Sequence, residues 1–129
     1  MTLFTLQINM KKKTLVLGAS TNPEKYAYKA VVKLLSNQHD VVAVGLKEGK
    51  IATVDIKTGF PLEEGVDTVT LYVSRANQPV FYDYILKLHP KRIIFNPGTE
   101  NEEFKKLARE NDIQTIEACT LVMLATGEY

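Results

Sequence analysis

The sequence predicts an α/β fold in which a mainly parallel sheet is covered by helices on both faces. Three observations predict it. Short apolar runs such as Thr14–Leu17, Val41–Val44 and Arg92–Phe95 recur along the chain. Segments of helical period lie between them, and the runs end abruptly at glycine or at a polar turn. Strands that alternate with helices imply right-handed crossovers, which make neighbouring strands parallel and bury both faces of the sheet.

The first strand, residues 14–17, stops at Gly18. From Pro23 the period changes, with Ala27, Ala30, Val31, Leu34 and Leu35 at helical spacing and Pro23 suited to the first turn. Residues 41–44 form a β-branched second strand closed by Gly45. Residues 46–65 carry Gly49, Gly59, Pro61 and Gly65 and read as turns with one short extended piece around residues 51–56. A third strand spans residues 66–73, followed by a helix with Val80, Phe81, Tyr84, Ile85 and Leu88 on one face, stopped by Pro90. Residues 92–95 form the fourth strand. Thr99 and Glu102 then have the spacing of a capping box for a helix carrying Phe104, Leu107 and Ala108. Residues 113–118 form a fifth strand and residues 119–125 a short terminal helix. The expectation is a three-layer Rossmann-like fold with a five-stranded, mainly parallel sheet.

A chain of 129 residues suits one domain. Met10 directly precedes Lys11, Lys12 and Lys13, which divides the chain into an N-terminal extension, residues 1–9, and the domain proper, residues 10–129. The formal net charge of +1 gives no broad attraction to nucleic acid or to an anionic membrane, so any anion site is local. The sequence has no signal peptide and no apolar run long enough to span a bilayer, and its single cysteine suits a reducing compartment. A cytoplasmic location is expected.

In such sheets ligands bind beyond the carboxyl ends of the strands, so function is sought at the strand exits. The first, Gly18-Ala19-Ser20-Thr21-Asn22-Pro23, joins a buried strand to a helix. Backbone N–H groups and the positive end of the helix dipole converge there, and the small side chains admit a phosphate. The same residues also suit a tight turn with Ser20 or Asn22 as N-cap. The full G-x-G-x-x-G pattern is absent, because position 20 is Ser and position 23 is Pro.

At the second exit, Gly45-Leu46-Lys47, dinucleotide-binding folds usually carry an acid for the ribose hydroxyls. A lysine instead suits an extra ribose phosphate, as in coenzyme A or NADP, or else a solvated loop. Asn96-Pro97-Gly98-Thr99 precedes Glu100, Glu102 and Glu103, acids that match a helix start and repel phosphate. That turn either contacts an uncharged part of a ligand or is a plain connection. Cys119 reads as a thiol near a ligand or as a small buried hydrophobe, and no histidine lies near it in sequence to act as its base.

The runs K-T-L-V-L-G-A-S-T-N-P-E-K-Y-A-Y-K-A, I-I-F-N-P-G-T-E-N and I-E-A-C-T-L-V-M-L together resemble the stand-alone CoA-binding protein family, over about residues 12 to 127. Those proteins are similar to the N-terminal CoA-binding domain of the succinyl-CoA synthetase α subunit. The resemblance implies a Rossmann-like fold with the ADP part of coenzyme A across the carboxyl edge of the sheet. It puts Gly18, Ala19 and Ser20 at the pyrophosphate with Lys25 nearby, Gly45 and Lys47 at the 3′-phosphorylated ribose, and Val73 and Ser74 on the adenine side. Asn96, Pro97 and Gly98 would line the pantetheine path, with Cys119 near its far end. The ligase carries its phosphorylated histidine in a second domain that this sequence lacks. The expected function is therefore a non-catalytic module for CoA or acyl-CoA. An NADP-dependent reductase-type protein is the alternative, although no catalytic Tyr–Lys pair is identified for it, and a fold retained for protein interaction alone is a third reading.

Overall fold

The computed structural model describes residues 11–129; the expected extension, residues 1–9, lies outside the described residues, as does Met10. Four buried residues, three of them apolar, make β1 (Thr14–Leu17), and the helical-period segment becomes α1 (Tyr26–Ser36), which buries Ala27, Ala30, Val31 and Leu34. Next come β2 (Val41–Val44), β3 (Gly49–Ile51), β4 (Val54–Lys57) and β5 (Thr68–Leu71). Two short 3₁₀ turns, Arg75–Asn77 and Pro79–Phe81, lead into α2 (Tyr82–Leu88). It ends at His89 in left-handed conformation, one residue before Pro90. The chain finishes with β6 (Arg92–Phe95), α3 (Glu102–Glu110), β7 (Gln114–Glu117) and α4 (Thr120–Thr126).

The sheet has seven strands in the order β3-β4-β2-β1-β5-β6-β7, not five. Every pairing is parallel except β3 with β4. The five expected strands are all present, and the two extra ones form a hairpin within residues 46–65. The hairpin turn is Ala52-Thr53, which lacks the Asn-Gly or Gly-rich signature of two-residue turns, and Ala52 adopts φ 53°. Only Ile51 and Ile56 of the hairpin are buried, too few to give a clear alternating pattern.

The side chains alternate between two buried faces. Leu15, Leu17, Val42, Val44, Val69, Leu71, Ile93 and Phe95 pack against Ile85 of α2 and Phe104 and Ala108 of α3. On the other face Val16, Val41 and Ala43 meet α1 and Leu124 of α4. Where that second face passes under β5 and β6 it carries polar groups beside the buried Ile94: Thr70 Oγ1 lies 2.7 Å from Thr120 Oγ1, and Arg92 Nε donates to Thr68 Oγ1 at 2.8 Å.

The α3 cap also differs from the expected capping box. Thr99 is buried, and both its N–H and its hydroxyl donate to the Asn96 carbonyl, closing the turn. The helix therefore starts later, and Asn101 caps it by accepting from the Phe104 N–H at 3.1 Å.

Candidate functional site

The parallel register sets the strand ends level. Val44, Leu17, Leu71, Phe95 and Glu117 stand side by side across five strands. The turns after β1 and β6 consequently open on the same edge. The chain leaves β1 towards β2 on one side and later returns to β5 on the other, so strand order reverses between β1 and β5.

Gly18 stands at that reversal with φ +99°, and a Cβ on it would lie 2.7 Å from the Tyr72 carbonyl oxygen beyond β5. Both facts require glycine. A Cβ on Gly45 would lie 2.2 Å from the Ala19 carbonyl oxygen, so the exits of β1 and β2 are packed backbone to backbone. This packing changes the expected role of two amides. Gly18 and Ala19 both donate to the Val44 carbonyl, at 2.8 and 2.9 Å, and are spent inside the fold.

The donors left at this exit lie further on. Among the described residues no acceptor is found for the amides of Ser20 and Thr21, or for the first α1 amides of Tyr26, Ala27 and Tyr28. Ser20 Oγ accepts from the Asn22 N–H at 3.1 Å, and Asn22 Oδ1 accepts from the Glu24 N–H at 2.9 Å. These side chains brace the loop and do not cap α1. The N-cap position falls on Lys25, which supplies no side-chain cap, and the first turn of α1 holds no acid. The positive end of its dipole is left to solvent or to an anion. Lys25 and Lys47 are exposed, and neither forms an ion pair among the described residues.

The β5 and β6 exits are held more tightly. Asn96 is 2% exposed, and its Nδ2 donates to Thr70 Oγ1 at 2.7 Å and the Leu71 carbonyl at 2.8 Å. Its Oδ1 accepts from the Thr120 N–H at 2.8 Å. The amide expected on the pantetheine path thus fastens β6 to β5 and to α4, and the exposed surface of that turn is Pro97 and Gly98. Val73 is half-buried; Ser74 is exposed and its Oγ accepts from Asn77 Nδ2 at 3.1 Å. Gln78, which the sequence did not single out, is buried beneath both exits, where it donates to the carbonyls of Val73 and Thr99.

Cys119 is half-buried and occupies the N-cap position of α4, on the same edge. The neighbouring Tyr72 hydroxyl is buried with no hydrogen-bond partner among the described residues, although Thr70 and Thr120 lie close by and bond to one another. Burial chiefly pushes this phenol up to about 12, so it keeps its proton at neutral pH and is no base for Cys119.

The edge is divided by charge. Lys25 and Lys47 stand at the β1 and β2 exits, with Glu24 and Glu48 beside them, whereas Glu100, Glu102 and Glu103 follow β6. There are two hollows of about 440 Å³ each, one between α1 and α4, reaching Pro23, and one beside Asp40 and Asp55. No group of three or more His, Cys, Asp or Glu residues suited to a metal ion occurs among the described residues, and no described helix is long and apolar enough to cross a membrane.

A model of the CoA binding domain family matches residues 12–125. A crystal structure of an uncharacterized protein is similar over 94% of this chain and 100% of that one, with 50% identity and a TM-score of 0.91. A Thermus thermophilus protein shares the fold over 99% of this chain and 98% of its own at 19% identity and a TM-score of 0.82. A hypothetical protein from Pyrococcus horikoshii OT3 does so over 97% and 89% at 21% identity and a TM-score of 0.82. No curated protein matches the chain.

Proposed function

Since the chain belongs to the CoA binding domain family, we propose that it is a non-catalytic cytoplasmic module that holds coenzyme A, free or acylated, along the carboxyl edge of its sheet. The observation that carries this reading is the uncapped start of α1 beside the unspent amides of Ser20 and Thr21. Such a cluster of N–H donors at a helix dipole suits a pyrophosphate. The charge division fits the rest of the ligand, whose phosphates crowd one end and whose pantetheine arm is uncharged.

In this arrangement Gly18 and Ala19 shape the turn and admit the pyrophosphate without donating to it. Ser20 and Thr21 supply amides, and Asn22 holds the loop. Lys25 adds charge at the helix start. Gly45 allows the β2 exit to close on the β1 exit, and Lys47 meets the 3′-phosphate. Val73 and Ser74 flank the adenine. The Pro97 and Gly98 surface, positioned by Asn96, guides the pantetheine arm towards Cys119. No step of bond making is assigned, because Tyr72, the titratable group coupled to Cys119, stays protonated. Residues 10–129 act as one ligand-holding domain.

Isothermal titration with coenzyme A, dephospho-CoA and NADP tests the reading. Saturable binding of coenzyme A, with weaker binding of dephospho-CoA, supports it. Tighter binding of NADP would move the assignment to the reductase class, and binding of none of the three would overturn the ligand site.

A further inference from the structure

We propose that Gln78 is a positioning residue that fixes the separation of the β5 and β6 exits, so that both halves of coenzyme A are engaged at once. The proposal rests on the ligand reading above. Gln78 lies between the two 3₁₀ turns, and its side chain is only 1% exposed. Its Nε2 donates to the Val73 carbonyl at 2.9 Å and to the Thr99 carbonyl at 2.8 Å. Its Oε1 accepts from Asn101 Nδ2 at 2.9 Å. Both donors and the acceptor of the amide are thereby used, and one side chain ties the loop after β5 to the turn after β6.

The brace is itself anchored. Asn101 Nδ2 also donates to the Tyr82 hydroxyl at 2.8 Å, and its Oδ1 caps α3 through the Phe104 N–H. The Tyr82 hydroxyl in turn donates to Glu103 Oε1 at 3.0 Å. Asn96 fastens the same two strands at their ends, while Gln78 fastens the loops beyond them, where a ligand lies.

Val73 belongs to the adenine side and Thr99 closes the turn on the pantetheine path. A ligand spanning both gains from the second contact only while the gap matches its length, because the second half then binds at a high effective concentration. Loosening the gap lowers that gain without removing a contact from either half. Gln78 therefore governs the advantage of the whole ligand over its nucleotide fragment.

The test compares coenzyme A with adenosine 3′-phosphate 5′-diphosphate by titration against wild type, Gln78→Met and Asn101→Asp. Gln78→Met keeps the length and removes the donors. Asn101→Asp keeps the helix cap and removes the donor to Gln78, and it carries the test if Gln78→Met does not fold. Coenzyme A affinity is expected to fall about tenfold in Gln78→Met and about threefold in Asn101→Asp, with the fragment changing by less than about twofold. A purely structural residue would lower the melting temperature and leave the ratio of the two affinities unchanged; that result overturns the proposal. Failure of the wild-type protein to bind coenzyme A overturns instead the ligand reading beneath it.

Discussion

Gly45 and Ala19 meet through bare backbone, with room for a hydrogen but not for a methyl between them. Gly45→Ala must push the β2 exit away from the β1 exit or fail to pack. A loss of about 1–3 kcal/mol in stability is expected, together with weaker coenzyme A binding, because the moved residues carry the Ser20 and Thr21 amides. Urea unfolding and titration of the same variant measure both. A stable variant with undiminished affinity would show that the two exits move independently.

Lys47→Ala is expected to weaken coenzyme A more than dephospho-CoA. The lysine is exposed, so its charged contact to a phosphate is screened and worth about 1 kcal/mol, roughly fivefold in affinity. Titrating both ligands against both proteins closes a double-mutant cycle. Strictly additive losses would mean that Lys47 does not see the 3′-phosphate.

His39 confers a pH dependence on stability that is independent of any ligand. Its Nδ1 accepts the Lys12 N–H at 3.0 Å, and its ring packs 5.0 Å from that of Tyr129. Burial first, then the charges of Lys11, Lys12 and Arg92, hold its pKa below the ordinary 6.5, against a smaller opposing effect of Asp67. Between the folded value and 6.5 the unfolded chain binds more protons, so the contribution is present above pH 6.5 and is lost as pH falls through the window below it. An NMR titration should place the His39 midpoint below 6.5, and His39→Gln should flatten that limb of the stability curve; a midpoint above 6.5 contradicts the assignment.

Ala52 occupies left-handed backbone in the β3–β4 turn, a conformation that disfavours any residue with a Cβ. Ala52→Gly should stabilise the protein by about 0.5–1 kcal/mol, the relief of strain exceeding the added freedom of the unfolded chain. Differential scanning calorimetry would detect a rise of roughly 2–5 °C in Tm. A fall would mean that the turn relaxes in solution.

Cys119, at the end of the proposed pantetheine path, should form a mixed disulfide with oxidised coenzyme A, its thiolate attacking one sulfur and releasing the other half as a thiol. Intact-mass measurement reads the adduct. Cys119 is the single thiol of the chain, so the rate decides: adduct formation no faster than in the same protein unfolded in urea would mean that the path runs elsewhere.

The parallel strands and their exits were legible because they depend on local pattern: four buried residues, at least three of them apolar, then Gly18, Gly45 or the Asn96-Pro97-Gly98 turn. The hairpin was not, because its two buried isoleucines and its Ala-Thr turn lack any strong local signature. Nor could the chain order of the exits reveal where their hydrogen bonds go. The Gly18 and Ala19 amides turn inward only because β2 lies beside β1, and Gln78 is buried only because β6 lies beside β5. A glutamine between two short turns reads as surface until the long-range pairing is known.

The level ends of the strands make the edge a shared property of the whole sheet. Val44, Leu17, Leu71, Phe95 and Glu117 are held in one row by the parallel register, and a slip of one residue in any strand would shift its exit along the edge and also turn its side chains to the opposite face. The packing of the core therefore guards the alignment of the exits.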